Sequence, residues 1–476
     1  MIDVAHRGEL ASHRWLSVTR CLPALVVLAW CACVTHAHAQ QRPPSRDSAT
    51  AADSAARDSL AARLARAEAA IELLRRQVAV EASSTVRTRS RLQLELSARI
   101  LTNAFLTTQR VNNVDVPQFV LASPASSATP VGGTPGTRAL GLSVRQSRIG
   151  AGVSVDSVLG GTFDGDVELD FFGGVSAGPG DRRLFPEPRL RTARARIRWA
   201  RSTLFFGSET PLISDLNPIS LAAIGVPGFV AAGNLWNWLP QVRMSHDMLV
   251  TASGLRIGVQ GAVMAPFSNV QHLAENDVVD AGERATRPAL EARVNLRWGE
   301  GGVQTGAPSD ANLGDGGGEI GIGVHRGWLR AASDSTSRSR AVSIDGRVML
   351  APGVELRGEA YRGQLLRGLG GGAIGQSFGR PQAGELIGRP LHNTAGWLQL
   401  NVQAHPTLIT GAGCGRDVVS TNDFPVREQN TACAAHLLWR PAQPLVLGFE
   451  LRTVGTRYAD RINRANHLNL SFGFEL

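Results

Sequence analysis

The chain has 476 residues and a net charge of +9, with 43% hydrophobic residues, 52 glycines and 2 tyrosines; every basic residue is an arginine. That apolar content with dispersed charge excludes a disordered chain. Five cysteines are too few for a disulfide scaffold, and no apolar run of about 18 residues follows the N-terminus, which excludes a helical membrane protein.

The first element is an export signal, residues 1–39. Arg7, Arg14 and Arg20 form a positive leader, Leu22 to Val34 is apolar, and Ala37-His38-Ala39 offers a small-residue cleavage site. Removal of this segment takes Cys21, Cys31 and Cys33 with it, leaving Cys414 and Cys433 as an even pair. An even pair in an exported chain reads as one disulfide, here expected across the seventh outer loop.

Residues 40–57, rich in Ser, Ala, Pro and Arg, read as a flexible lead. Leu60, Leu64, Ala67, Ile71, Leu74 and Val78 then follow at alternating spacings of 4 and 3. This a/d seam predicts a coiled-coil helix over 58–82. One helix this short is marginal alone, and no second heptad segment exists in the chain. The helix is therefore expected to pair with copies of itself, the alternative being a helix that lies against its own domain.

After Ser90 the hydrophobic period becomes 2 and stays there to the end, so 90–476 reads as all-β. Sixteen candidate strands fall at 91–102, 139–152, 162–172, 189–199, 202–209, 240–249, 254–265, 287–298, 318–330, 340–350, 354–365, 394–404, 406–413, 431–440, 444–454 and 465–476. Leu290, Ala292, Val294, Leu296 and Trp298, against Glu291, Arg293, Asn295 and Arg297, show the alternation well. Connectors alternate short and long, with 111–138, 173–188, 210–236, 266–286, 366–390 and 414–430 long and 299–317 out of phase. Ten-residue alternating segments with this loop rhythm predict a transmembrane antiparallel β-barrel, closed by pairing the last strand with the first.

The arginines follow the parity. Arg194, Arg196 and Arg198 share one face of their strand, opposite Ala193, Ala195, Ile197 and Trp199. An arginine facing lipid at mid-membrane costs roughly 2–4 kcal/mol, so this face points into a wet lumen. Arg293 and Arg297 face inward by the same rule, and Arg148 joins them as a pore-lining candidate. Arg189 and Arg191 have the opposite parity to Arg194, which requires a bulge near Thr192 or a rim position. Arg145 and Arg148 cannot both face the lumen from a regular strand. Two readings of the arginine row stand side by side. It is a ladder selecting anions, or it is paired with Asp164, Asp166, Glu168 and Asp170 on the preceding strand.

The segments Arg145-Gln146-Ser147-Arg148, Val167-Glu168-Leu169-Asp170-Phe171-Phe172-Gly173, Arg189-Leu190-Arg191 and Pro240-Gln241-Val242-Arg243 together resemble the DcaP-like trimeric porins of Gram-negative outer membranes. The resemblance is strongest over about 100 residues. It implies a homotrimer of sixteen-stranded barrels, a periplasmic coiled coil before each barrel, and uptake of small anionic solutes. The loop 210–236 has no basic residue, and Asp215 makes it the candidate constriction loop.

Other motifs carry less. Gly370, Gly372 and Gly375 match G-x-G-x-x-G without the strand-turn-helix context of a dinucleotide site. The histidines lack metal-ligand spacing, no G-x-S-x-G is present, and no basic aromatic-lined face suggests nucleic acid. No catalytic residue, metal or cofactor is expected, and the chain reads as a non-enzyme. Asn234-Leu235-Trp236-Asn237-Trp238-Leu239 reads as an interfacial aromatic belt. The expected function is passive diffusion of small hydrophilic solutes, anions preferred, through an outer-membrane porin embedded in outer-membrane lipid. A structural or adhesive barrel is the alternative.

Overall fold

The computed structural model describes residues 85–87, 92–122, 138–173, 184–270, 279–299, 312–313, 317–332 and 335–476. The expected export signal, flexible lead and coiled-coil helix lie outside the described residues. Sixteen antiparallel strands form a closed ring among the described residues. They are β1 (Leu92–Thr107), β2 (Ala139–Ser143 and Arg148–Val158), β3 (Gly161–Gly173), β4 (Glu187–Arg198), β5 (Ser202–Glu209) and β6 (Leu239–Val250). Next come β7 (Arg256–Met264), β8 (Ala289–Trp298), β9 (Gly318–Ala332), β10 (Ser335–Ala351) and β11 (Val354–Gln364). The ring is completed by β12 (His392–His405), β13 (Leu408–Val419), β14 (Gln429–Trp439), β15 (Leu445–Arg457) and β16 (Ile462–Glu475). The short strand Thr85–Arg87 pairs with the start of β1.

Closure runs from His467 opposite Thr107 to Glu475 opposite Arg99. Glu475 fastens this seam, its carboxylate 2.7 Å from Arg99 Nε and 2.8 Å from Arg440 Nε. No sheet edge is left open in the ring, as a hydrocarbon environment demands.

The period of 2 decides the two faces. Outward positions such as Val294, Ile322, Val342 and Leu398 are large, apolar and about half exposed. Inward positions on the same strands are polar and buried, among them Glu291, Arg293, Asp345 and Gln399. Turns of two to five residues at 159–160, 199–201, 251–255, 352–353, 406–407 and 440–444 lie at one end of the barrel. Most long connections lie at the other, where 458–461 is short.

Two expectations need correction. The strand expected at 139–152 is broken: its upper half pairs with Asn103–Thr107 of β1 and its lower half with Leu92–Arg99, with a turn at 145–146 between them. The loop expected at 414–430 is shorter, because β13 continues to Val419. The run Gly411-Ala412-Gly413-Cys414-Gly415 has too little side chain to show an alternation, yet its backbone completes the ladder. Cys414 and Cys433 therefore sit directly opposite each other on β13 and β14, and their disulfide is cross-strand, not loop-spanning.

Candidate functional site: a barrel lumen with an infolded loop

The loop 210–236 is apolar for a connector, and water does not hold it. Nearly every residue from Thr210 to Leu235 is buried. Leu212, Ile213 and Leu235 pack with Met264, Tyr361 and Leu366; Leu216 and Phe229 pack with Trp397 and Val454; Ile219, Leu221 and Ile224 pack with Leu101, Ile409 and Leu438. Burial of this apolar surface drives the loop inside the barrel.

A buried loop must satisfy its backbone polar groups, and the inner wall supplies the partners. Ile219 N donates to Gln399 Oε1 at 2.7 Å, and Gln399 Nε2 donates back to Ile219 O at 2.9 Å. Arg357 Nη1 reaches Asn217 O at 3.0 Å, and Asn430 Nδ2 reaches Ala231 O at 2.9 Å. Ser343 Oγ donates to Ile213 O at 2.6 Å.

The densest anchorage comes from the break in β2. Because the strand turns at 145–146, Arg145, Gln146, Ser147 and Arg148 are all buried, which a regular strand forbids. Gln146 Oε1 accepts from Ile224 N at 3.0 Å and Gly225 N at 2.6 Å, while Nε2 donates to Ala222 O at 3.0 Å. Arg148 Nη2 and Arg191 Nη1 both donate to Ile224 O, and Arg189 Nη2 donates to Gly225 O. The register of β3 and β4 skips at Arg191, between Leu190 opposite Leu169 and Thr192 opposite Glu168. That bulge turns Arg191 and Thr192 inward together. Arg145 meets Asp115 at 3.0 Å and lies 3.9 Å over the Phe172 ring; Arg191 lies 4.2 Å over Trp238. Trp236 and Trp238, read from sequence as belt residues, are edge to face at 4.9 Å and half-buried beside these arginines.

The arginine row on β4 is paired. Arg194 meets Asp166 at 2.7 Å and Glu209 at 2.9 Å; Arg196 meets Asp164 at 2.6 Å and Asp166 at 2.7 Å; Arg198 meets Asp164 at 2.7 Å. Asp164 and Asp166 each sit between two guanidiniums in a staggered zipper. Arg148 lies 3.6 Å from Glu168. Arg293 is buried between Glu319 at 2.9 Å and Asp345 at 2.7 Å, and Arg297 pairs with Asp247. All six pore-lining candidates face the interior with a carboxylate partner.

A cavity of about 850 Å³ opens between these side chains and the short turns 159–160 and 199–201. Arg196, Arg198, Arg201, Arg243, Arg256 and Arg297 line it with Asp156, Glu209, Asp215, Asp247 and Glu319. Arg201 is exposed and reaches no carboxylate among the described residues. Asp215 is where the infolded loop meets this cavity. Its Oδ1 accepts from Thr210 Oγ1 at 3.1 Å and lies 3.9 Å from Arg243 Nη1. Burial pushes this loop carboxyl above its ordinary value, against the pull of Arg243 and Arg293.

Sequence reasoning placed the arginine row and Asp215 in the interior. It missed Gln146, Gln399 and Asn430 as tethers, because neutral amides carry no periodic signal. Gly370, Gly372 and Gly375 all adopt positive φ in the loop 365–391, so that motif is a backbone device. A Cβ at Gly370 would come within 2.7 Å of Asn237 N.

No family model and no curated protein matches the chain in sequence. Among solved structures, it is similar to the outer membrane channel DcaP of Acinetobacter baumannii, at 13% identity and a TM-score of 0.61 over 83% of this chain and 100% of that one. It is more loosely similar to an anion-selective porin from Comamonas acidovorans, at 10% identity and a TM-score of 0.48 over 81% of this chain and 100% of that one. The first similarity establishes a shared barrel fold.

Proposed function

We propose that this chain is an outer-membrane porin of the DcaP-like kind, passing small hydrophilic solutes down their gradient. The observation that carries this reading is the loop 210–236, which is held inside an apolar-jacketed barrel and meets a charged cavity at Asp215. An infolded loop narrows a wide barrel and sets a size limit, which is what a diffusion channel needs. The orientation follows: short turns in the periplasm, long loops outside.

We further propose a preference for anions. Its support is a cavity lined by six arginines and five carboxylates, with Arg201 unpaired among the described residues. The field is modest, because most guanidiniums are compensated. The chain is also proposed to form trimers. A recess of about 500 Å³ on the outward face of β1–β5, lined by Ala151, Gly152, Gly165, Ala193, Ala195 and Gly207 among others, gives a second copy room for close approach. The heptad seam at 60–78 would hold the copies together in the periplasm.

Planar-bilayer recording of the purified, folded protein tests the proposal. Stepwise conductance with a reversal potential favouring chloride is expected. Folded barrels that never conduct would leave the structural or adhesive reading. Chemical cross-linking of the full chain should capture three copies.

A further inference from the structure

Most interior arginines are paired with carboxylates, and a second group of arginines lies elsewhere. Six arginines cluster on the outside of the barrel, at the long-loop ends of β8–β11: Arg287, Arg326, Arg330, Arg338, Arg340 and Arg362. All six are exposed, and among the described residues none reaches a carboxylate. Strand register puts them side by side. Arg326 is directly opposite Arg340, Arg338 is opposite Trp328, and Arg362 is opposite Val342. Like charges directly opposite on one face of a sheet repel, and the side-chain hydrogen bond here, Arg340 Nη2 to Gln364 Oε1 at 3.4 Å, neutralises neither charge.

The position along the strands is as informative as the charge. On the same outward face, the cluster gives way to Leu290, Ile322, Val324, Val342 and Ile344, all large, apolar and exposed. Trp328 stands among the arginines, its ring centroid 5.7 Å from the Arg287 guanidinium and 5.6 Å from that of Arg326. A tryptophan at the upper limit of an apolar band marks the membrane–water interface. The arginines therefore lie at headgroup height, directly above the lipid-facing belt.

We propose that this patch binds the phosphate groups of a phosphorylated glycolipid in the outer leaflet. Guanidinium forks match phosphate oxygens two at a time, and a bound phosphate would relieve the Arg326–Arg340 repulsion. The apolar band below would receive acyl chains of the same molecule. That continuity on one set of strands selects a lipid over a free anion. The choice of leaflet rests on the porin orientation proposed above; the site itself does not.

The test uses the full-length protein in zwitterionic detergent, with lipid retention read by native mass spectrometry. Diphosphoryl lipid A should be retained, monophosphoryl lipid A more weakly, and phosphatidylcholine not at all. Replacing both Arg326→Gln and Arg340→Gln should lower diphosphoryl lipid A retention about tenfold or more, since each removes a charge-assisted contact. The pair Arg416→Gln and Arg464→Gln removes the same charge from exposed positions elsewhere on the barrel and should leave retention unchanged. Unaltered heat-modifiable gel migration and conductance show that each variant has folded. Equal retention of phosphatidylcholine, unchanged retention in the Arg326/Arg340 variant, or an equal loss in the Arg416/Arg464 variant would overturn the proposal. Loss of conductance in the native protein, with retention intact, would instead count against the porin reading alone.

Discussion

Gln146 clamps the backbone at Ile224. Its carboxamide accepts from the Ile224 amide at 3.0 Å and from the next amide, Gly225, at 2.6 Å, while donating to Ala222 O at 3.0 Å. Gln146→Ala leaves two buried N–H groups and one carbonyl without this partner, at roughly 1–3 kcal/mol for each unsatisfied group. The cost falls on the loop, because the β-ladders do not depend on Gln146. The variant is expected to fold and insert, with larger and noisier unitary conductance. An identical conductance trace would mean that the remaining tethers, Arg148, Arg189 and Arg191, hold the loop without it.

How much of this was legible depends on the range of the interaction. The inward face of Arg194, Arg196 and Arg198 follows from parity alone, since misplacing it puts charge in lipid. The clash of parity between Arg145 and Arg148 pointed to an irregularity, and the broken β2 resolves it. Whether the row is paired was not legible, because Asp166 meets Arg194 only through the register of β3 and β4, which shifts at the bulge at Arg191. The fate of loop 210–236 was half legible. Its lack of basic residues was visible, but Gln399, Asn430 and Arg357 reach it across 140 to 199 positions of sequence. The rim arginines were visible as residues but not as a patch, since Arg326, Arg340 and Arg362 become neighbours only when three strands align.

Asp166 lies between Arg194 and Arg196, so its removal tests the compensated wall directly. Asp166→Asn frees part of both guanidiniums while Glu209 and Asp164 still hold their other sides. A unit charge about 4 Å from a passing ion is worth about 1 kcal/mol in water, a roughly fivefold effect on local population before screening. The chloride preference should therefore rise in Asp166→Asn and fall, or reverse, in Arg196→Glu. Reversal potentials under a salt gradient read both. No movement in either variant would place the ion path away from β4.

Asp215 should make selectivity depend on pH. Burial raises its pKa, so the ionised form is disfavoured in the folded chain. As pH falls it becomes neutral above the ordinary carboxylate range, before exposed acids do, and the cavity loses one negative charge. Chloride preference should then increase on mild acidification. The stability contribution has the matching sign: it is present below the ordinary carboxylate value and is lost as pH rises through the raised one. Asp215→Asn should show the acid-side selectivity already at neutral pH, with a flatter pH profile. A variant whose profile overlays that of the native protein would assign the dependence to another carboxylate.

The thiols report on two expectations together. Cys414 and Cys433 are opposite in register and bridged, 19 positions apart. If the leader is removed on export, Cys21, Cys31 and Cys33 leave with it, so the mature chain holds no free thiol. Protein purified from outer membranes, unfolded without reductant and treated with maleimide should remain unlabelled. After reduction it should take up two labels. Three labels before reduction would mean that the leader is retained, while two before reduction would mean that the pair is open. Closing a loop of this length restrains the unfolded chain by roughly 3 kcal/mol on the chain-entropy view. The double variant Cys414→Ser, Cys433→Ser should therefore unfold at lower denaturant with its conductance unchanged, because both side chains point away from the lumen.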